Sequence, residues 1–232
     1  MNILLFDTET NGLPKNRFAP PSQTDAFPAV LQLSWAIFTI TPENTLVAGG
    51  RRNLLLALPP HIAWDTGAAA IHGLSEESVR GPDATLPHEA FLAFREALAT
   101  VDCVICHNMA FDKPVVRAGA YAASMQLGSA PEAAQLRTMW PKIQEFCTME
   151  NTRSLVGIPS APEAKHPFKA PRLNELYTWL HGHVYDLSGS GNILHSAAAD
   201  TLCLARCIAA MLRRGYLTVT SDSRLSFVSL VS

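Results

Sequence analysis

The sequence has no large excess of charge of either sign. Its 18 Lys and Arg stand against 20 Asp and Glu, which gives a formal net charge of -2 at pH 7. Proteins that coat nucleic acids through bulk attraction carry a strong positive excess. The composition excludes that class and leaves open a nucleic acid that is held locally at one site.

The sequence also has no long apolar run near its start, and its number of cysteines is odd. The apolar residues 3–6 follow no basic region and end at Asp7, so we expect neither a signal peptide nor a transmembrane helix. Five cysteines without a secretion signal favour reduced thiols, and Cys103 and Cys106 fall in an apolar stretch typical of a buried strand rather than of a zinc site. We expect a cytoplasmic protein that binds no membrane.

The chain is long enough to bury a large core. With 232 residues, 48% of them hydrophobic, one domain is favoured over two. We predict a single domain over residues 1–215, followed by a tail or an edge strand over residues 216–232.

The most informative stretch is Phe6-Asp7-Thr8-Glu9-Thr10, which follows the apolar residues 3–5. Side chains two apart on a strand point the same way, so both carboxylates would project from one face. Two like charges held there need a cation, and hard divalent ions take oxygen ligands. On these five residues alone, a metal-binding pair and a turn capped by Asp7 and Thr8 are equally good interpretations.

Alternating apolar residues predict that the first strand belongs to an antiparallel meander with strands at residues 30–41 and 46–58. A further strand at residues 102–106 runs into a polar turn and a helix to about residue 125. This is the α/β arrangement in which sites collect at the carboxyl ends of strands, and it places Asp112 near such an end.

The periodicity predicts the remaining helices at residues 62–71, 75–79, 87–99, 172–180 and 197–214. Two stretches have no assigned role. The proline-rich loop, residues 14–28, is either a surface insertion or a flap over the site. The basic stretch, residues 165–172, is either a solvated face or a substrate contact.

The last predicted helix carries two further candidate residues. Asp200 lies in its first turns and His195 just before it. Five helical residues turn through about 500°, so the two side chains would not share a face if both were helical. We therefore expect His195 in the preceding loop, leaning over the site into which Asp200 points.

Three motifs together resemble those of the DnaQ-like exonucleases of the DEDDh type. Asp7 and Glu9 lie in FDTET, Asp112 in HNMAFD, and His195 and Asp200 in HSAAAD. Two further segments, AIHGL at residues 70–74 and LNELY at residues 173–177, also look like segments of this family. The resemblance spans nearly the whole chain and is closest to the DNA polymerase III epsilon-like and related stand-alone 3′-5′ exonucleases.

The resemblance implies an α/β fold with an RNase H-like mixed β-sheet, a three-stranded antiparallel meander plus parallel strands, flanked by helices. It also implies that Asp7, Glu9, Asp112 and Asp200 bind two divalent ions, Mg²⁺ or Mn²⁺. Such a pair offsets the four carboxylate charges and supports in-line displacement at phosphorus. His195, with an ordinary pKa of about 6.5, is suited to take a proton from the attacking water.

The implied reaction is phosphodiester hydrolysis at the 3′ end of single-stranded DNA, releasing nucleoside 5′-monophosphates. The partner is a nucleic acid 3′ end, and a proofreading role would need a polymerase associated in trans. An exoribonuclease of the same family is the second hypothesis, since a contact to the 2′-hydroxyl depends on pocket detail. A catalytically silent nucleic-acid-binding module is the third, but it has no need of four ligands and a base.

A softer set of residues is predicted to contact the substrate. Leu13 would wedge beside the last base or merely form a turn, His72 would contact the strand or end a helix, and Phe111 would stack on a base or pack in the core. Asn108 would orient the strand end or bind sugar. The full set is Thr8, Thr10, Gly12, Leu13, His72, Asn108 and Phe111.

Overall fold

The computed structural model describes residues 1–185 and 196–228. Its strands are β1 (Asn2–Thr10), β2 (Val30–Ile40), β3 (Leu46–Leu55), β4 (Cys103–Cys106), β5 (Gln144–Cys147), β6 (Leu217–Val219) and β7 (Leu225–Phe227). Among the same residues the helices are α1 (Thr66–His72), α2 (Glu76–Arg80), α3 (Pro87–Leu98), α4 (Met109–Leu127), α5 (Pro131–Arg137), α6 (Thr148–Asn151), α7 (Arg153–Val156), α8 (Leu173–His181) and α9 (Ala197–Arg213).

The main sheet has five strands in the order β3-β2-β1-β4-β5. The first three strands pair antiparallel, and β4 and β5 continue the sheet in parallel to β1. The predicted meander and the predicted α/β fold, an RNase H-like mixed sheet flanked by helices, are therefore confirmed.

The central strand β1 is longer than its apolar start suggests, because it continues through Thr10. Asp7 pairs with Ser34 and Glu9 with Gln32 on β2, and the register shifts between Glu9 and Thr10. The two carboxylates thus belong to a strand, and the turn begins only after them.

The two faces of β1 are covered by different helices. Ile3 and Leu5 lie in one buried cluster together with residues of α8 and α9. Leu4 and Phe6 lie in a second cluster with residues of α3 and α4. Because side chains alternate between the two faces of β1, Asp7 and Glu9 point to the side of α9, and Thr8 points to the side of α4.

The stretch between α4 and α8 contains one strand that the sequence pattern did not predict. Strand β5 is four residues long and pairs in parallel with β4. Its Gln144 side chain holds the β6-β7 hairpin, because it donates to Leu225 O at 2.6 Å and accepts from Leu225 N at 2.9 Å.

The β6-β7 hairpin is a sheet separate from the main one. Leu217 and Leu225 are buried in the same cluster as α9. The division of the chain after residue 215 stays a prediction. Within the described part of the chain, no helix is both long and apolar enough to span a lipid bilayer.

Candidate active site

Three of the predicted metal ligands converge at the open end of β1. The carboxylates of Asp7, Glu9 and Asp200 each offer an oxygen atom, and these atoms lie within 4.8 Å of one another. All three side chains are partly exposed, so the cluster opens to solvent. We refer to these three residues as the acidic cluster.

The fourth predicted ligand, Asp112, reaches the site from the first turn of α4 and is only 3% exposed. Thr8 Oγ1 donates a hydrogen bond of 2.7 Å to Asp112 Oδ1. Thr8 points away from Asp7 and Glu9, so this bond fixes Asp112 on the α4 side of the strand. The negative charge of Asp112 raises the pKa of both Asp7 and Glu9, which shows that it is within electrostatic reach of the acidic cluster.

The carboxyl groups are held in an environment that disfavours their charged forms. Burial, followed by the charges of Asp112, Asp200 and Glu9, raises the pKa of Asp7 well above its ordinary value. Burial and the neighbouring carboxylates raise the pKa of Glu9 to about 8. Burial likewise raises the pKa of Asp112 to about 7, against the lowering effect of the Thr8 hydrogen bond.

This donor set fits hard divalent cations. Every candidate ligand atom is a carboxylate oxygen, the ligand type that Mg²⁺ and Mn²⁺ prefer. A cation between like charges removes the repulsion that raises their pKa values.

The position of Asp200 depends on a bond that sequence reasoning missed. Gln32 on β2 is buried, and its Oε1 accepts a hydrogen bond of 2.9 Å from Ala197 N at the start of α9. Gln32 is also the strand partner of Glu9. The pairing that positions Glu9 therefore positions the first turn of the helix that carries Asp200. A polar Gln in the apolar stretch VLQLSW is the signal that would have revealed it.

The start of α9 is further fixed by its own side chains. Ser196 Oγ accepts from Ala199 N at 3.2 Å, and Thr201 Oγ1 donates to Ala197 O at 2.7 Å. The predicted base, His195, lies outside the described residues, immediately before Ser196.

The turn after β1 exposes one predicted substrate contact, Leu13, while Thr10 is buried. Thr10 Oγ1 donates to Gly12 O at 2.8 Å, and Leu13 is 80% exposed. Gly12 has a φ of 106°, which side chains rarely adopt, and a Cβ there would lie 3.1 Å from Asp65 Oδ2. Asn11, which was not predicted, joins this turn to the next segment because its side chain accepts from Asp65 N at 2.9 Å.

The other predicted contacts are less exposed. His72 is 3% exposed, its Nδ1 accepts from Leu74 N at 3.0 Å, and burial lowers its pKa. Phe111 packs against the α3-α4 core as a partly buried residue. Asn108 directly precedes α4, and its carbonyl oxygen accepts from Asp112 N at 3.0 Å. Substrate contacts by these three residues stay predictions.

The basic stretch is partly used inside the fold. Lys169 Nζ lies 2.6 Å from Glu175 Oε1, and Glu175 Oε2 accepts from Arg172 N at 2.8 Å at the start of α8. These contacts stabilise the first turn of α8, so at least Lys169 is not a free cation.

Solved structures with a similar fold come from exonuclease I. The E. coli enzyme in complex with a dA16 oligonucleotide is 18% identical, with a TM-score of 0.57 over 90% of this chain and 40% of that chain. The zinc-bound E. coli complex with single-stranded DNA is 17% identical, with a TM-score of 0.58 over 92% of this chain and 40% of that chain. Exonuclease I from Methylocaldum szegediense is 16% identical, with a TM-score of 0.60 over 92% of this chain and 40% of that chain.

The chain is similar in fold to exonuclease I. It spans about 40% of the length of each of these exonuclease I chains. No protein-family model matches the chain, and no curated protein matches its sequence. At this level of identity, the likeness to exonuclease I shows a shared mixed sheet with flanking helices.

Proposed function

We propose that the chain is a metal-dependent 3′-5′ exonuclease that removes nucleoside 5′-monophosphates from single-stranded DNA. The observation that carries this proposal is the acidic cluster: carboxylate oxygens of Asp7, Glu9 and Asp200 lie within 4.8 Å of one another, and the charge of the buried Asp112 acts on Asp7 and Glu9. Clustered carboxyl groups whose pKa values are raised by burial and by one another are typical of functional sites.

Asp7, Glu9, Asp112 and Asp200 would hold two divalent ions, Mg²⁺ or Mn²⁺. When bound, such a pair stabilises the attacking and the leaving oxygen of a displacement at phosphorus. The chain contributes the positions of the ligands. The Thr8 hydroxyl orients Asp112, and Gln32 fixes the start of the helix that carries Asp200.

His195 is the proposed general base. It directly precedes Ser196, the N-cap residue of the helix that carries Asp200. An imidazole with an ordinary pKa of about 6.5 is half neutral near that pH and can accept the proton of the attacking water.

The proposed substrate class rests on the similar structures. Exonuclease I of E. coli is bound to dA16 in one of them and to dT13 in another. These are single-stranded DNA oligonucleotides, so single-stranded DNA is the first substrate to test.

The test uses matched strands that carry a label on the 3′-terminal nucleotide: single-stranded DNA, duplex DNA with a mismatched end, and RNA of the same sequence. We expect the labelled mononucleotide as the first product from single-stranded DNA with Mg²⁺ or Mn²⁺, and no product in EDTA. Asp7→Asn should be inactive, whereas Asp83→Asn, at an exposed aspartate outside the site, should match the parent protein.

Each other result has a defined meaning. Faster release from RNA would replace the proposal with an exoribonuclease. Labelled fragments of several nucleotides would indicate internal cleavage. A chain that releases nothing from any strand with either ion would refute the enzyme and leave a binding module.

A further inference from the structure

A cleft lies between the proline-rich loop, residues 14–28, and the first turns of α4. It has a volume of about 380 Å³, and its charged lining residues are Arg17 from the loop, Lys113 and Arg117 from α4, and Glu145 from β5. We refer to this cleft as the basic groove. Three cations face one carboxylate there, in a chain whose formal net charge is -2.

Most of this positive charge is not neutralised by the protein. Glu145 Oε1 already lies 2.5 Å from Lys113 Nζ and accepts from Trp140 Nε1 at 3.0 Å. Arg17 and Arg117 form no ion pair with any carboxylate in residues 1–185 or 196–228, and both are exposed. Two guanidinium groups are therefore available to an anion, and guanidinium geometry suits phosphate.

Backbone and side-chain hydrogen bonds constrain the loop that carries Arg17. Lys15 N donates to Ala26 O at 2.9 Å, and Phe18 N donates to Asn16 Oδ1 at 3.0 Å. A short 3₁₀ turn, Thr24–Ala26, contacts α4. Because these contacts hold the loop against α4, Arg17 stays opposite the cations of the helix.

An exposed aromatic side chain lies beside the groove. Phe18 is 83% exposed, and Arg17 Cζ lies 4.8 Å from the centre of its ring. Aromatic rings beside cations are the usual elements of single-strand binding surfaces, since bases stack on the rings and phosphates contact the cations. Phe18 is thus placed to stack on a base while the cations contact the backbone.

The groove lies next to the fourth proposed ligand, Asp112, on the α4 side of the sheet. Lys113 follows Asp112 on α4, and Lys113 and Arg117 are four residues apart on one side of the helix. Asp112 points toward the sheet, where it contacts Thr8, while the two cations line the groove under the loop. One helix therefore connects the fourth carboxylate to the groove.

We propose that the basic groove binds backbone phosphates of a single-stranded nucleic acid on the 5′ side of the bond to be cut, with Phe18 stacked on a base. The direction rests on the proposed 3′-5′ exonuclease, because a strand whose 3′ end lies at the acidic cluster extends away from it toward its 5′ end. The proline-rich loop is then a substrate-binding element.

The test measures binding of a 5′-labelled single-stranded dT16 by fluorescence anisotropy in EDTA, from 50 to 200 mM salt. Each phosphate contact on a single strand contributes about 0.7 to the slope of log affinity against log salt. Arg17→Gln/Arg117→Gln should therefore lower the slope by about 1.4. Arg51→Gln/Arg52→Gln, the same charge loss at exposed residues on the far edge strand β3, should leave the slope unchanged.

A second variant separates stacking from charge. Phe18→Ala should weaken binding by roughly tenfold at every salt concentration without changing the slope, because stacking on a ring releases no counterions. The groove proposal is wrong if the Arg17/Arg117 variant keeps the parent slope, if the Arg51/Arg52 variant loses as much, or if the parent protein does not bind dT16. Hydrolysis by the parent protein, measured separately with Mg²⁺, decides the proposed function whichever slope is found.

Discussion

The acidic cluster and the basic groove are built differently. The acidic cluster takes its side chains from β1 and α9, and buried bonds of Thr8 and Gln32 hold the surrounding elements. The basic groove takes one cation from an irregular loop, and two of its three cations are exposed. We infer that the first region sets the chemistry and that the second sets how strongly the strand is held.

The largest expected effect is that of Asp7→Asn. Removing one ligand should reduce the rate at saturating single-stranded DNA by at least about a thousandfold, whereas a groove variant should chiefly raise KM. Because the change also removes a charge from a repelling cluster, the melting temperature in EDTA should be equal to or higher than that of the parent. Circular dichroism melts check this, and an Asp7→Asn protein that retains its rate would remove the distinction between the two regions.

A smaller effect is expected from Thr8→Val, which keeps the shape of the side chain and deletes the hydroxyl that holds Asp112. Loss of such an outer partner typically costs ten- to a hundredfold in metal affinity or activity. Thr8→Ser restores the hydroxyl and should recover most of the loss. Mn²⁺ titration followed by activity measures the shift. If Thr8→Val and Thr8→Ser weaken Mn²⁺ binding equally, Thr8 acts through packing instead of through its bond to Asp112.

Metal binding should also appear as stability. Mn²⁺ at about 100 times its Kd stabilises the folded chain by about 2.7 kcal/mol, which corresponds to roughly 5 to 10 °C in melting temperature for a chain of this size. Asp7→Asn should lose most of this rise, whereas the groove variant Arg17→Gln/Arg117→Gln should keep it. A rise that is equal in all three proteins would place the ion elsewhere.

The rise in melting temperature caused by Mn²⁺ should increase with pH. Folding raises the pKa of Glu9 to about 8, so the folded chain without metal holds a proton that the unfolded chain has released above about pH 4.5. Stability in EDTA should therefore fall as the pH rises from about 4.5 to 8. Metal competes with these protons, so the rise caused by Mn²⁺ should be larger at pH 8 than at pH 6.

The smallest effect is expected at His107, a buried histidine outside both regions. Its Nδ1 lies 2.9 Å from Thr148 Oγ1, and its Nε2 donates to Pro171 O at 2.9 Å. Burial lowers its pKa to about 4, so its contribution is complete above about pH 6.5 and is lost as the pH falls toward 4.

The measurement for His107 is urea unfolding at pH 7 and pH 5. The free energy of unfolding of the parent protein should fall between pH 7 and pH 5. In His107→Asn this fall should be smaller by about 1 to 2 kcal/mol. His166→Asn, at an exposed histidine, should behave like the parent. An unchanged pH dependence in the His107 variant would show that other groups cause the acid destabilisation.

The sequence predicted those parts of the site that depend on local periodicity. Asp7 and Glu9 share a face because strand side chains alternate, and Asp200 follows from the strong apolar pattern of α9. The role of Gln32 was not predicted, because its bond partner, Ala197, is 165 residues away and no local sequence pattern indicates such a contact. The role of Arg17 escaped for a different reason: a proline-rich loop has no periodicity, so the position of its side chains is decided by tertiary contacts.

The secondary structure shows the same division. Residues 30–40, 87–98 and 109–127 were predicted nearly to their ends because their apolar patterns are long. Strand β5 was missed because four residues among prolines give too short a pattern, and its place is fixed by pairing with β4. Strand β1 was also predicted nearly to its end: Asp7 and Glu9 lie in it as expected, and it continues one residue further, to Thr10.

The bond between Gln32 and Ala197 also joins an early segment of the chain to a late one. A chain grows from its N-terminus, so Asp7 and Glu9 are synthesised well before Asp200, which arrives only with α9. Until α9 docks on β2, the growing chain has three of its four proposed ligands and no complete acidic cluster. The proposed metal site would therefore be completed only when the last long helix of the described chain is in place.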